Sequence, residues 1–162
     1  MQRVYLDNAA TTAIRPEVVD EMANVMKNIY GNPSSTHVFG REAKALIELS
    51  RKNIAQRLNV TPAEIYFTSC GTESNNTIIR SCVNDLDVTR IITTDMEHKC
   101  VIESIKDLEV RGKAEVIRLN ILKNGDVDYA QLEELVKDQS KKTLVSLMHA
   151  NNEIGNLTDV KR

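Results

Sequence analysis

The sequence lacks an excess of charge of either sign, a long hydrophobic run and a cysteine framework, and each absence excludes a class of function. Lys and Arg number 21 against 23 Asp and Glu, with no basic run, which argues against a partner such as DNA or RNA. No stretch approaches the roughly 20 apolar residues of a membrane span, and the start, Met1-Gln2-Arg3-Val4-Tyr5-Leu6-Asp7, has no apolar core of signal-peptide length. The expectation is a cytoplasmic protein without a membrane partner. The three cysteines, Cys70, Cys82 and Cys100, are odd in number, widely spaced and without a Cys-x-x-Cys pair. Neither a disulfide framework nor a zinc site is indicated, so reduced thiols and no metal are expected. The 162 residues suit one domain of ordinary size, able to bury about 70% of its unfolded surface.

What is present is an alternation of apolar patterns. Val4-Tyr5-Leu6 predicts a short extended arm that ends in the polar turn Asp7-Asn8-Ala9-Ala10. Pro16 opens a helix to about Asn28, with Val18, Val19, Met22, Val25, Met26 and Ile29 on its apolar face. Gly31 to Gly40 has the composition of turns, with His37 as its one titratable group, and a long amphipathic helix follows over 41–58. From Ile65 the chain predicts strand 65–67, a helix from Thr72 to Val83 buried through Ile78, Ile79 and Cys82, and strand 90–94. A helix stopped by Gly112, strand 116–119, helix 129–137 and strand 143–148 then complete the pattern. Such alternation favours an α/β fold with a mainly parallel sheet flanked by helices, whose post-strand loops gather at one edge where ligands bind. Three polar segments follow strands, Ser69 to Thr72, Asp95 to His98 and His149 to Glu153, and their convergence is the structural argument for a site.

Phe67-Thr68-Ser69-Cys70-Gly71-Thr72-Glu73-Ser74-Asn75-Asn76 carries the strongest local signal. Small hydroxyl residues and glycine before a helix let backbone amides converge on an anion, favoured by the helix dipole by about 0.3–1 kcal/mol when exposed. An ordinary capped strand-to-helix turn has the same local pattern, and the stretch alone does not separate the two.

Five motifs in order do. Tyr5-Leu6-Asp7-Asn8-Ala9-Ala10-Thr11-Thr12, Gly31-Asn32-Pro33-Ser34-Ser35 with His37 and Gly40, Phe67-Thr68-Ser69 with Gly71-Thr72-Glu73-Ser74-Asn75, Glu97-His98-Lys99, and Met148-His149-Ala150-Asn151-Asn152-Glu153-Ile154-Gly155 together resemble the cysteine desulfurases of the NifS/IscS type. The resemblance runs the length of the chain. It implies the fold-type-I architecture of pyridoxal 5'-phosphate (PLP) enzymes, a homodimer, L-cysteine as substrate, L-alanine as product, and sulfur passed through an enzyme persulfide to an acceptor or iron–sulfur scaffold protein. Residue by residue it implies Gly71 and Thr72 as phosphate contacts, and His98 as the imidazole stacked on the cofactor ring and a proton-transfer group. It also implies Asn152 as the amide that bonds the phenolic oxygen and Asn8 near the substrate carboxylate. His37 and its loop resemble a segment at the active-site entrance and dimer contact.

The resemblance also sets expectations about extent. It corresponds to about the first two fifths of the family's length: an arm over 1–14, helices and an active-site loop over 15–60, and an incomplete large domain over 61–162. The family's cofactor-anchoring lysine, in a Ser-x-His-Lys run, and its persulfide-forming cysteine match nothing before Arg162. Lys99 follows His98 but is preceded by Met96-Glu97, and is read as a surface lysine at a helix start. Cys70 stands where the family usually has glycine. The isolated polypeptide is therefore expected to be inactive, and a sheet cut after Met148, with edge groups and apolar faces left exposed, is expected to self-associate. The alternatives are a selenocysteine lyase or other class-V aminotransferase-like enzyme, and a non-catalytic binding or assembly module.

Overall fold

The computed structural model describes residues 3–161 and divides into two compact units, one through Phe67 and one from Thr68 on.

In the first unit, helix α1 (Pro16–Asn28) starts at a proline that needs no amide partner, with Glu17 in its first turn and Lys27 in its last, as the helix dipole favours. None of its residues is buried; Val18, Val19, Met22 and Met26 of the expected apolar face are exposed. Helix α2 (Val38–Leu58) begins three residues before the expected start because His37 caps it, its Nδ1 accepting the Gly40 amide at 3.4 Å. The turn before it is closed by two backbone approaches. A Cβ on Gly31 would lie 2.3 Å from the Phe39 carbonyl oxygen, and one on Gly40 would lie 2.4 Å from that of Ser35. Only glycine fits at either position.

The segment 65–67, expected as a strand, is extended but pairs with no strand among the described residues. Arg51 of α2 holds the segment along the helix: its guanidinium donates to the Ile65 carbonyl and sits 4.9 Å above the Phe67 ring centre. Tyr66 is left exposed.

The second unit is α/β. Strands β1 (Arg90–Thr93), β2 (Glu115–Arg118) and β3 (Thr143–Val145) form a parallel sheet in the order β2-β1-β3, with helices α3 (Gly71–Asn84), α4 (Lys99–Val110) and α5 (Tyr129–Lys137). The pleat sends successive side chains of β1 to opposite faces. Ile91, in register with Val116 and Leu144, joins Ile79, Val101, Ile105 and Leu108 of α3 and α4. Ile92, in register with Ile117 and Val145, joins Leu119, Val127 and the α5 residues Leu132 and Leu135. Both faces of the central strand are covered, which is why β1 reads as a continuous apolar run.

Two details differ from the sequence reading. Ile78 is 59% exposed, because consecutive helix residues are about 100° apart and Ile79, Cys82 and Val83 take the core face. Strand β3 ends at Val145, after which the chain turns into the loop that carries Asn151 and Asn152.

Candidate functional site

The parallel strands bring the loops after β1 and β3 to one edge, and side chains of both loops tie them together. Glu97, buried after β1, accepts the backbone amide of Met148. Asn151 donates its Nδ2 to the Met96 carbonyl at 3.0 Å, while its Oδ1 accepts the amides of Glu153 and Ile154. Burial pushes the Glu97 carboxyl above its ordinary range, opposed by the Met148 N–H.

On the other side of the β1 loop lies a pocket of about 270 Å³ lined by Gly71, Thr72, Asn75, His98 and Cys100. Two helix N-termini meet there. Gly71 and Thr72 open α3, and His98 caps α4 through Nδ1, which accepts the Cys100 amide at 3.2 Å. Cys70, at the N-cap of α3, makes no side-chain cap hydrogen bond, and the α3 dipole favours negative charge at this helix start. Its exposed thiol faces the first-turn amides: the Glu73 N–H, with the Ser69 side chain next, holds it below the usual thiol range. Glu73 itself folds back, its Oε2 accepting the Ser69 amide and hydroxyl, each at 2.6 Å. A Cβ at Gly71 would meet nothing within 4 Å, so the mouth of the cup has room for a ligand.

Gly71, Thr72 and His98, three of the residues singled out in the sequence, thus share one pocket. Asn152 does not line it: it lies exposed in the turn at the end of the neighbouring loop and donates to Glu153 Oε1 at 3.3 Å. Asn8 is exposed in the turn 8–10 of the first unit. His37 is the cap of α2. Lys99 is the exposed first residue of α4. Asn75, Cys100, Glu97 and Asn151 were missed as contributors. Asn75 carried a signal, lying one helical turn after Gly71, whereas the roles of Glu97 and Asn151 depend on pairing between loops about fifty residues apart in the chain, which no local pattern encodes.

The donor set suits a small anionic ligand with a flat ring. It offers the N-terminus of α3 and a hydroxyl for a phosphate, and an imidazole for a ring face. Among the described residues no group of His, Cys, Asp and Glu is placed to hold a metal ion. No helix among them is long and apolar enough to cross a membrane.

Comparison with known proteins places these features in context. A family model described as aminotransferase class-V matches residues 4–162. The chain is 43% identical over 155 residues to the mitochondrial cysteine desulfurase of Drosophila melanogaster, covering 94% of this chain and 33% of that protein. It is 41% identical over 162 residues to the cysteine desulfurase IscS of Dictyoglomus turgidum, covering 99% of this chain and 40% of that one. A solved structure of a NifS-like protein superposes with a TM-score of 0.89 at 41% identity, over 99% of this chain and 44% of that chain. The chain therefore spans about a third to two fifths of the length of these curated relatives. The α/β unit has the architecture of part of a fold-type-I PLP enzyme of the NifS-like kind.

Proposed function

The chain belongs to the class-V aminotransferase family, of the cysteine desulfurase kind, and from that premise we propose that it supplies the amino-terminal part of a PLP-dependent cysteine desulfurase. The reaction is removal of sulfur from L-cysteine to leave L-alanine, with the sulfur passed to an enzyme persulfide and on to an iron–sulfur or thiolation acceptor. The working form is a homodimer in the cytoplasm, a reducing compartment that suits three free cysteines. The observation that carries the reading is the meeting of two helix N-termini, Thr72 and the His98 ring on one pocket.

The residues present fit the cofactor. The Gly71 and Thr72 amides and the Thr72 hydroxyl would hold its phosphate, where the α3 dipole favours negative charge. The flat His98 imidazole would cover the ring, exclude water and hold or take a proton. The Asn152 amide, engaged with Glu153 here, would donate to the phenolic oxygen without adding charge, and Asn8 would face the substrate carboxylate. When bound, PLP supplies the electron sink that labilises bonds to the amino-acid Cα.

The 162 residues contain no Ser-x-His-Lys run, so this polypeptide alone is proposed to bind the phosphate end of the cofactor without turnover. The experiment has two arms. Pyridoxine 5'-phosphate, which carries no aldehyde to react with surface lysines, should bind saturably, and pyridoxine much more weakly. PLP with L-cysteine should release neither alanine nor sulfide catalytically. Equal binding of the two pyridoxine forms, or turnover, would contradict the reading.

A further inference from the structure

Cys100 Sγ lies 3.0 Å from His98 Nδ1. A cysteine and a histidine so close are commonly an activated nucleophile, with a thiolate facing an imidazolium. The backbone excludes that arrangement here. The Cys100 amide donates to the same Nδ1 at 3.2 Å, as the cap of α4. An amide N–H cannot donate to a protonated ring nitrogen, so Nδ1 is an acceptor and carries no proton. With Nδ1 unprotonated, the thiol can hydrogen-bond to it only as a donor, S–H sharing the one Nδ1 lone pair with the amide. Its sulfur is in turn supplied from the other side, because Asn75 Nδ2 donates to Cys100 Sγ at 3.4 Å across from α3. All three side chains line one pocket.

We propose that Asn75 and Cys100 are positioning residues whose hydrogen-bond chain, Asn75 amide to Cys100 thiol to His98 Nδ1, reinforces the Nε2–H tautomer that the α4 cap sets and fixes the ring at the pocket. The chain makes and breaks no covalent bond. Its effect is to leave Nε2 as the ring atom that exchanges a proton, and to couple the ring's orientation to α3, the helix whose first turn forms the anion cup. Cys100 serves His98 and is not itself a nucleophile. The significance for catalysis rests on the proposed function of His98; the tautomer does not.

The chain holds three histidines, His37, His98 and His149, so selective nitrogen-15 labelling gives a simple spectrum. In long-range proton–nitrogen spectra of the full chain, His98 is expected with a protonated Nε2 and an unprotonated, hydrogen-bonded Nδ1. Cys100→Ala removes one donor and displaces the Nδ1 resonance toward that of a free acceptor. Cys100→Ser restores it, since a hydroxyl both accepts from Asn75 and donates to Nδ1, and Asn75→Ala gives a smaller displacement of the same sign. The His37 and His149 signals report whether each variant is folded; should Cys100→Ala not fold, the Asn75→Ala and Cys100→Ser shifts decide. A protonated Nδ1 in the wild type, or a shift that is the same in every variant, overturns the proposal. Pyridoxine 5'-phosphate added to the same samples separates the two readings. Phosphate-dependent binding with the wrong tautomer overturns the hydrogen-bond chain alone, and the right tautomer without such binding overturns the proposed function alone.

Discussion

The carboxylate of Glu97 accepts the backbone amide of Met148, so the residue before His98 is latched to the loop that leads to Asn152. Two loops that the sequence keeps fifty residues apart are joined through a side chain that is only 8% exposed.

Removing this latch should cost stability in a pH-dependent way. Glu97→Ala leaves the Met148 N–H without its acceptor and is expected to destabilise by about 1–3 kcal/mol, whereas Glu97→Gln keeps a carbonyl acceptor and should cost less. Because burial raises the folded-state pKa of Glu97, the native state holds that proton more tightly than the unfolded chain. Its contribution is thus fully present below the unfolded value and is lost as pH rises through the folded one. Glu97→Gln should remove that downward slope. Denaturant unfolding at a series of pH values checks both.

Asp138 acts in the opposite sense and in a different window. Its pKa is lowered to about 2, first by the Ser140 hydrogen bonds and then by Arg90. Arg90 is 4% exposed and donates to Asp138 Oδ2 at 2.7 Å, the Asp138 carbonyl at 2.8 Å and Thr143 Oγ1 at 2.8 Å. The stabilisation from Asp138 is present above its unfolded pKa and lost as pH falls toward about 2. Asp138→Asn should flatten this acid limb and, at neutral pH, destabilise by leaving the buried guanidinium short of its counter-charge. An acid titration of unfolding free energy, wild type against variant, distinguishes this limb from that of Glu97.

Thr93 is 4% exposed and its hydroxyl has no hydrogen-bond partner among the described residues. Thr93→Val, nearly the same shape without the polar atom, is expected to stabilise by about 1 kcal/mol in chemical denaturation.

Glycine substitutions should separate folding from binding. Gly40→Ala drives a Cβ against the Ser35 and Asn32 carbonyl oxygens, at 2.4 and 2.6 Å, and should destabilise by about 1–3 kcal/mol or more. Gly71→Ala meets no atom within 4 Å and sits at the start of α3, so its thermal midpoint should be unchanged or raised. Yet the added methyl intrudes where the phosphate is proposed to sit, and affinity for pyridoxine 5'-phosphate should fall. Melting curves and binding isotherms on the two variants give opposite patterns.

The ends of α1 and α5 were legible residue by residue, because Pro16 opens the first and the apolar spacing from Tyr129 to Lys137 marks the second. The central strand was legible as an apolar run because α4 and α5 cover its two faces. The segment 65–67 was misread because β-branched and aromatic residues favour any extended, half-covered setting, and Arg51 provides one without a sheet. The start of α2 was placed late because His37 is an unusual cap, and its loop composition masked the first turn. Gly71, Thr72 and His98 were legible as helix starts that line one pocket, because sequence signals for helix starts are local. Glu97 and Asn151 were not, because their roles exist only once β1 and β3 are neighbours.

The most direct test of the phosphate cup is calorimetric titration of the full chain with pyridoxine 5'-phosphate and with pyridoxine, in the wild type and in Thr72→Ala. The account expects the wild type to prefer the phosphorylated form by tenfold or more, about 1.4 kcal/mol, and Thr72→Ala to lose much of that preference while binding pyridoxine as before. A wild type that binds both forms alike, or a Thr72→Ala variant with its preference intact, would contradict it.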